Sequence, residues 1–169
     1  MTVIRYILVV IMIGIAIFLS GCTGTKDIAE KSYQNLNVGE TAILSYDNTK
    51  LAVTVKSVKK IENPSDPDYN PGVDSVLRKG ENLIAVKLEI KNIGNSGSQT
   101  PSNAKWYAKG VDYAGFSYDA PYGGLVPWGM YPGDSREGTI KIYHVPDKGL
   151  KGLKFVYACG EEASWVIFE

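Results

Sequence analysis

"NLIAVKLEIKN", residues 82–92, decides how this chain is read. Apolar side chains recur at every second position, at Ile84, Val86, Leu88 and Ile90. Lys87, Glu89 and Lys91 fall between them. A period of two marks a strand with one face on a core and the other toward water. The run ends in "IGNSGSQTPSN" (93–103), whose Gly, Ser, Asn and Pro break regular structure.

The same pattern continues on both sides. "TAILSY" (41–46) and "LAVTVKSV" (51–58) flank Asp47-Asn48. Asp and Asn tolerate left-handed backbone, so this pair reads as a hairpin. "AKWYAK" (104–109), "GFSYDA" (115–120), "GTIKIYHV" (138–145), "GLKFVYAC" (152–159) and "ASWVIF" (163–168) follow. Ile140 and Ile142 share one face of their run, and Lys141 and Tyr143 the other. Leu153, Phe155, Tyr157 and Cys159 share a face of theirs, which predicts a buried, reduced thiol at Cys159. No stretch after the N-terminal segment holds a helical period over several turns. Short strands with frequent turns predict an all-β chain folded as a two-sheet β-sandwich. A closed barrel is the alternative that periodicity leaves open.

Composition narrows the function. Lys+Arg and Asp+Glu both number 18, so no basic face invites nucleic acid. One histidine and two cysteines are too few for a usual zinc site, a blue-copper site or a disulfide framework. No cofactor is expected.

The N-terminus carries an address. Arg5 precedes "YILVVIMIGIAIFL" (6–19), which is apolar without a break. A spanning helix needs about 20 apolar residues, and this run fits a signal segment better. Leu19-Ser20-Gly21-Cys22 resembles the lipobox of prokaryotic lipoproteins. The resemblance implies cleavage before Cys22 and a lipid on its sulfur, which excludes a disulfide with Cys159. An uncleaved anchor helix is the alternative, because Val3 to Gly21 nearly reaches spanning length. Both readings place the rest of the chain outside the cytoplasm, held at a membrane. The expected organisation is a signal peptide at 1–21, a flexible tether at 22–37 and a folded domain at 38–169.

Three longer motifs carry a family resemblance. "NVGETAILSYDNTKLAVTVKSVKKI" opens with Gly-Glu and two strands. "NLIAVKLEIKNIGN" is a long strand ending in Asn-x-Gly. "LVPWGMYPGDSREGTIKIYHVP" sets Pro-Gly-acid before a Gly-led strand that ends in Val-Pro. Together they resemble the immunoglobulin-like (telokin-like) domain of unknown function found on prokaryotic lipoproteins and secreted proteins. The resemblance implies an immunoglobulin-like sandwich on the cell surface and brings no catalytic residues. A long acidic insert after the second strand and a high aromatic density in the middle depart from that pattern.

Those departures hold the candidate sites. The insert "NPSDPDYNPGVD" (63–74) spaces Asp66, Asp68, Asn70 and Asp74 like a calcium loop. Pro71 and Leu77 stand where an EF-hand needs Gly and Glu, so only an irregular calcium site remains, beside the plainer reading of a solvated loop. Residues 106–131 carry eight aromatics. Half of these are expected in the core. Tyr118, Tyr122, Trp128 and Tyr131 flank the loop "APYGGLVPWGMYPG" (120–133) and are expected to face a ligand or partner. His144 lacks the local context of a nucleophile such as Gly-x-Ser-x-Gly, so a hydrolase ranks last. The leading expectation is a non-enzymatic surface lipoprotein that binds a protein or cell-envelope component through its loops. A carbohydrate-binding module is the second.

Overall fold

The computed structural model describes residues 34–46, 48–75, 77–97, 106–120, 125 and 129–169. Residues 1–21, Cys22, Tyr122 and Trp128 lie outside the described residues, and so does the side chain of Cys159. Among the described residues no helix is long and apolar enough to cross a membrane.

Among the described residues nine strands form two sheets. In chain order they are β1 (Gln34–Asn37), β2 (Thr41–Tyr46), β3 (Thr49–Ile61), β4 (Glu81–Asn92) and β5 (Tyr107–Val111). They continue with β6 (Ser117–Asp119), β7 (Ser135–Pro146), β8 (Leu153–Cys159) and β9 (Glu161–Phe168). Two four-residue helices interrupt them, α1 (Pro71–Asp74) and α2 (Asp147–Leu150). One sheet has the order β1-β9-β8-β5-β6 and the other β2-β3-β4-β7. The chain is therefore an all-β, two-sheet sandwich, as the alternation predicts.

The core lies between the sheets. Ile84, Val86, Leu88 and Ile90 of β4 are fully buried there with Trp165, Phe155 and Ile142. Trp165 also places its indole N–H 3.1 Å from the carbonyl of Glu40, so its one polar atom is satisfied. Full burial of side chains this large is the main source of stability, at about 25 cal/mol per Å² of apolar surface.

β4 is buried on both faces over its first half. Leu83 and Ala85 point away from the main core yet are 0% and 3% exposed. The insert covers them. Tyr69 and Leu77 pack on Ile61, Leu83, Ala85 and Tyr143 to make a second, smaller core on the outer face of the four-stranded sheet. The solvated loop expected at 63–74 is thus a folded cap. Asn70 starts α1 by accepting the Gly72 N–H on its side-chain oxygen at 3.0 Å. Pro71 follows at the first helical position, where its missing N–H costs nothing.

The sheet also takes in residues expected in the tether. Gln34–Asn37 run parallel to β9, from Gln34 beside Ala163 to Asn37 beside Val166. The Gln34 side chain turns across the flank, donating to the Ile43 carbonyl at 2.7 Å and accepting the Ile43 N–H at 3.2 Å. It closes the β1/β2 side of the sandwich by satisfying an edge peptide of β2.

Candidate functional site

The opposite flank, between edge strands β6 and β7, holds a pocket of about 720 Å3. Four consecutive residues, Ser117 to Ala120, form one wall along β6. Tyr143 and His144 of β7 face them, and Gly72 and Val73 of α1 form the rim. The volume falls within the range of small-molecule and peptide sites. The insert thus builds part of the site.

Two tyrosines line this pocket with their hydroxyls tied behind it. Tyr118 donates to Asp112 Oδ2 at 2.6 Å. Asp112 is 8% exposed, and its other oxygen accepts the N–H groups of Ala114 at 2.9 Å and Phe116 at 3.1 Å. The Tyr118 hydrogen bond and these backbone donors hold the Asp112 carboxyl below the usual range, against the effect of burial. Tyr143 donates to Asp74 Oδ1 at 2.8 Å. Burial and the adjacent carboxylate push Tyr118 and Tyr143 up to about 12. Both rings are fixed walls of the pocket.

Asp74 pins the cap beside this pocket. Its carboxylate is 1% exposed and accepts Lys141 Nζ at 2.6 Å and the Asn70 N–H at 2.6 Å as well as the Tyr143 hydroxyl. Burial alone would raise its pKa, but these three donors outweigh burial and lower it.

The four residues with calcium-loop spacing do not converge. Asp66 and Asp68 grip Lys59 Nζ at 2.7 Å and 2.6 Å. Asp74 faces Lys141, and the Asn70 oxygen caps α1. Lysines fill the place of a cation at both positions. Among the described residues no group of three or more His, Cys, Asp or Glu is arranged to hold a metal ion.

His144 occupies the left-handed region at φ 59°. Asn82 pairs with Val145 and Ile84 with Ile142, so Tyr143 and His144 together oppose Leu83. That extra residue is a bulge, and it turns the imidazole toward Glu81. Nδ1 lies 2.8 Å from Glu81 Oε2. Contact with His144, and then the Arg78 N–H, lowers the Glu81 carboxyl. Ser117 lines the same pocket but makes no hydrogen bond to the ring.

The expected aromatic set is split. Tyr131 is 73% exposed, beside the turn Pro132-Gly133. Tyr118 is half-buried in the flank pocket, toward the end of the sandwich that carries α2. Two other rings are as exposed as Tyr131: Tyr113 at 76% and Phe116 at 67%. They ride the β5–β6 turn that Asp112 organises. The signal for that turn is "DYAG" (112–115), an Asp followed three residues on by Gly115 at φ 86°.

Fold and site define an all-β sandwich with an open flank pocket and exposed aromatic turns. No family model matches the chain, and no curated protein does. Among solved structures, the chain is similar to MPT63, a secreted protein of Mycobacterium tuberculosis, with a TM-score of 0.53 and 14% identity over 80% of this chain and 98% of that one. An uncharacterised β-sandwich protein of Clostridium difficile 630 gives 0.47 and 13% over 80% and 95%. A conserved hypothetical protein of Bacillus anthracis gives 0.44 and 15% over 74% and 89%. The likeness to MPT63 concerns the fold.

Proposed function

We propose that this chain is a membrane-tethered lipoprotein whose immunoglobulin-like, telokin-like domain lies outside the cytoplasm and binds a protein or cell-envelope component without catalysis. The observation that carries the reading is the exposure of Tyr113, Phe116 and Tyr131 on turns. Exposed Tyr and Phe rings on turns offer contact area to a partner with little loss of entropy. Tyr113 and Phe116 stand at the end near α2, and Tyr131 stands beside the turn before β7. They form no single strip, which favours a protein surface over a sugar chain. The apolar run closed by Leu19-Ser20-Gly21-Cys22 supports the location, and a fold shared with a secreted protein is in keeping with it. The diacyl lipid implied at Cys22 supplies two chains, enough for stable anchoring. Among the described residues His144 has a carboxylate partner and no hydrogen-bonded nucleophile.

Two measurements test this. Intact mass of the membrane form should show a chain starting at Cys22 with added lipid; a start before Cys22, or no lipid mass, removes the tether. Crosslinking in intact cells should capture a partner that a Tyr113→Ala, Phe116→Ala, Tyr131→Ala variant loses. Unchanged capture by that variant removes the aromatic turns from the binding surface.

A further inference from the structure

The flank pocket borders a free strand edge. Among the described residues β6 is the last strand of its sheet and pairs with β5 alone. Asp112 N–H donates to the Phe116 carbonyl at 3.1 Å. In an antiparallel ladder bonded pairs alternate with non-bonded ones, so the next bonded pair is Gly110 with Tyr118. Tyr118 therefore directs its backbone N–H and carbonyl at β5. Ser117 and Asp119 direct theirs away from it, on the pocket side of the strand. On the other flank the Gln34 side chain satisfies the edge peptide of Ile43. Among the described residues nothing does the same for Ser117 or Asp119.

From this placement we infer that the pocket takes an extended peptide segment, which adds to β6 as a further strand. Its backbone bonds the outward groups of Ser117 and Asp119. Its inward side chain, aliphatic or aromatic, rests against Val73, Tyr118 and Tyr143. Strand addition of this kind draws affinity from main-chain hydrogen bonds and selectivity from pockets for alternate side chains. Both tyrosine rings are held by Asp112 and Asp74 before the peptide arrives, so little ordering is left to oppose binding. A small polyol would satisfy the outward peptide groups less well, because it lacks their spacing. The inference extends the partner-binding reading and names a different surface for it. Peptide binding that survives loss of Tyr113, Phe116 and Tyr131 shows that the two stand or fall separately.

The test uses the full chain in detergent micelles and a pool of blocked hexapeptides that alternate Val or Tyr with Thr or Ser, read by fluorescence anisotropy. At least one peptide should bind, and methylating the backbone nitrogens of its β6-facing residues should weaken it by about tenfold or more. Asp119→Pro should do the same from the protein side. Proline is tolerated at an edge position whose N–H faces away from the sheet, so pairing with β5 survives. No binding across the pool overturns the inference, and so does binding that methylation leaves unchanged. The methylated peptide gives this answer on the unaltered protein, whatever Asp119→Pro does to folding.

Discussion

Lys141 Nζ lies 2.6 Å from Asp74 Oδ2, although 67 residues separate the two in sequence. This contact, with the Tyr143 hydroxyl on the other oxygen, fastens the insert to the outer face of β7. Removing the carboxylate leaves Lys141, which is 19% exposed, without its partner. Asp74→Ala should therefore destabilise the domain by about 2–4 kcal/mol. Limited proteolysis should then cut first within residues 62–80. A variant that unfolds at the wild-type denaturant midpoint and resists protease there would show that the insert is held by something else.

Acid should release the same cap. The folded pKa of Asp74 lies below its ordinary value, so the unfolded chain takes up the proton first as pH falls. The stability it contributes is full above about pH 4 and is lost as pH falls through the folded pKa. Asp66, held down chiefly by Lys59, and Asp112, held down chiefly by Tyr118, act in the same direction. Thermal midpoints should fall below about pH 4, and Asp74→Asn should flatten that slope. An equally steep slope in the variant would clear Asp74 of the effect.

Alkali probes the pocket walls. Tyr118 and Tyr143 are both pushed up to about 12, so each favours its neutral form in the folded state. Their contribution is full below about pH 10 and is lost as pH rises through about 12. Both should ionise late in an ultraviolet titration. Tyr118→Phe and Tyr143→Phe should each delete one late step. If either variant titrates like wild type at high pH, the corresponding hydroxyl is not bound to its aspartate.

What could be read in the sequence follows from where each cause lies. The second half of β4 was legible because one face meets water, and alternation records that locally. The insert was not. Its prolines and acidic spacing are local facts, but Lys141 and Tyr143, which decide what Asp74 does, lie far along the chain. The clue was in β4 itself: "LIAV" (83–86) is apolar on both faces, and a strand buried on both sides needs a second cover. β1 shows the same limit. "QNLN" (34–37) has no strand pattern of its own, and its pairing with β9 makes it a strand. At the site, Tyr131 lies in solvent, whereas Tyr118 is drawn into the flank by Asp112, a residue whose turn also lifts Tyr113 and Phe116 outward.

Gly110 reports how closely the sheets approach. A Cβ built there would sit 2.8 Å from Ile142 Cγ2 and 3.3 Å from Leu153 Cδ1, both in the dry core. Side chains packed on all sides have little room to yield, so Gly110→Ala should cost about 1–3 kcal/mol. Because β5 carries β6, the variant should also weaken any ligand of the flank pocket. A denaturant midpoint equal to wild type would mean that the sheets lie further apart at this point.

His144 offers a test whose sign is diagnostic. At an ordinary strand position Val is favoured and Gly is costly. At φ 59° the order reverses, because a β-branched side chain crowds its own backbone in the left-handed region and Gly does not. Both substitutions remove the Glu81 hydrogen bond equally, so comparing them cancels that loss. His144→Gly should be more stable than His144→Val by about 1–2 kcal/mol in chemical denaturation. If Val proves the more stable, residue 144 is regular strand, the bulge opposite Leu83 is absent, and the turned imidazole on the pocket wall goes with it.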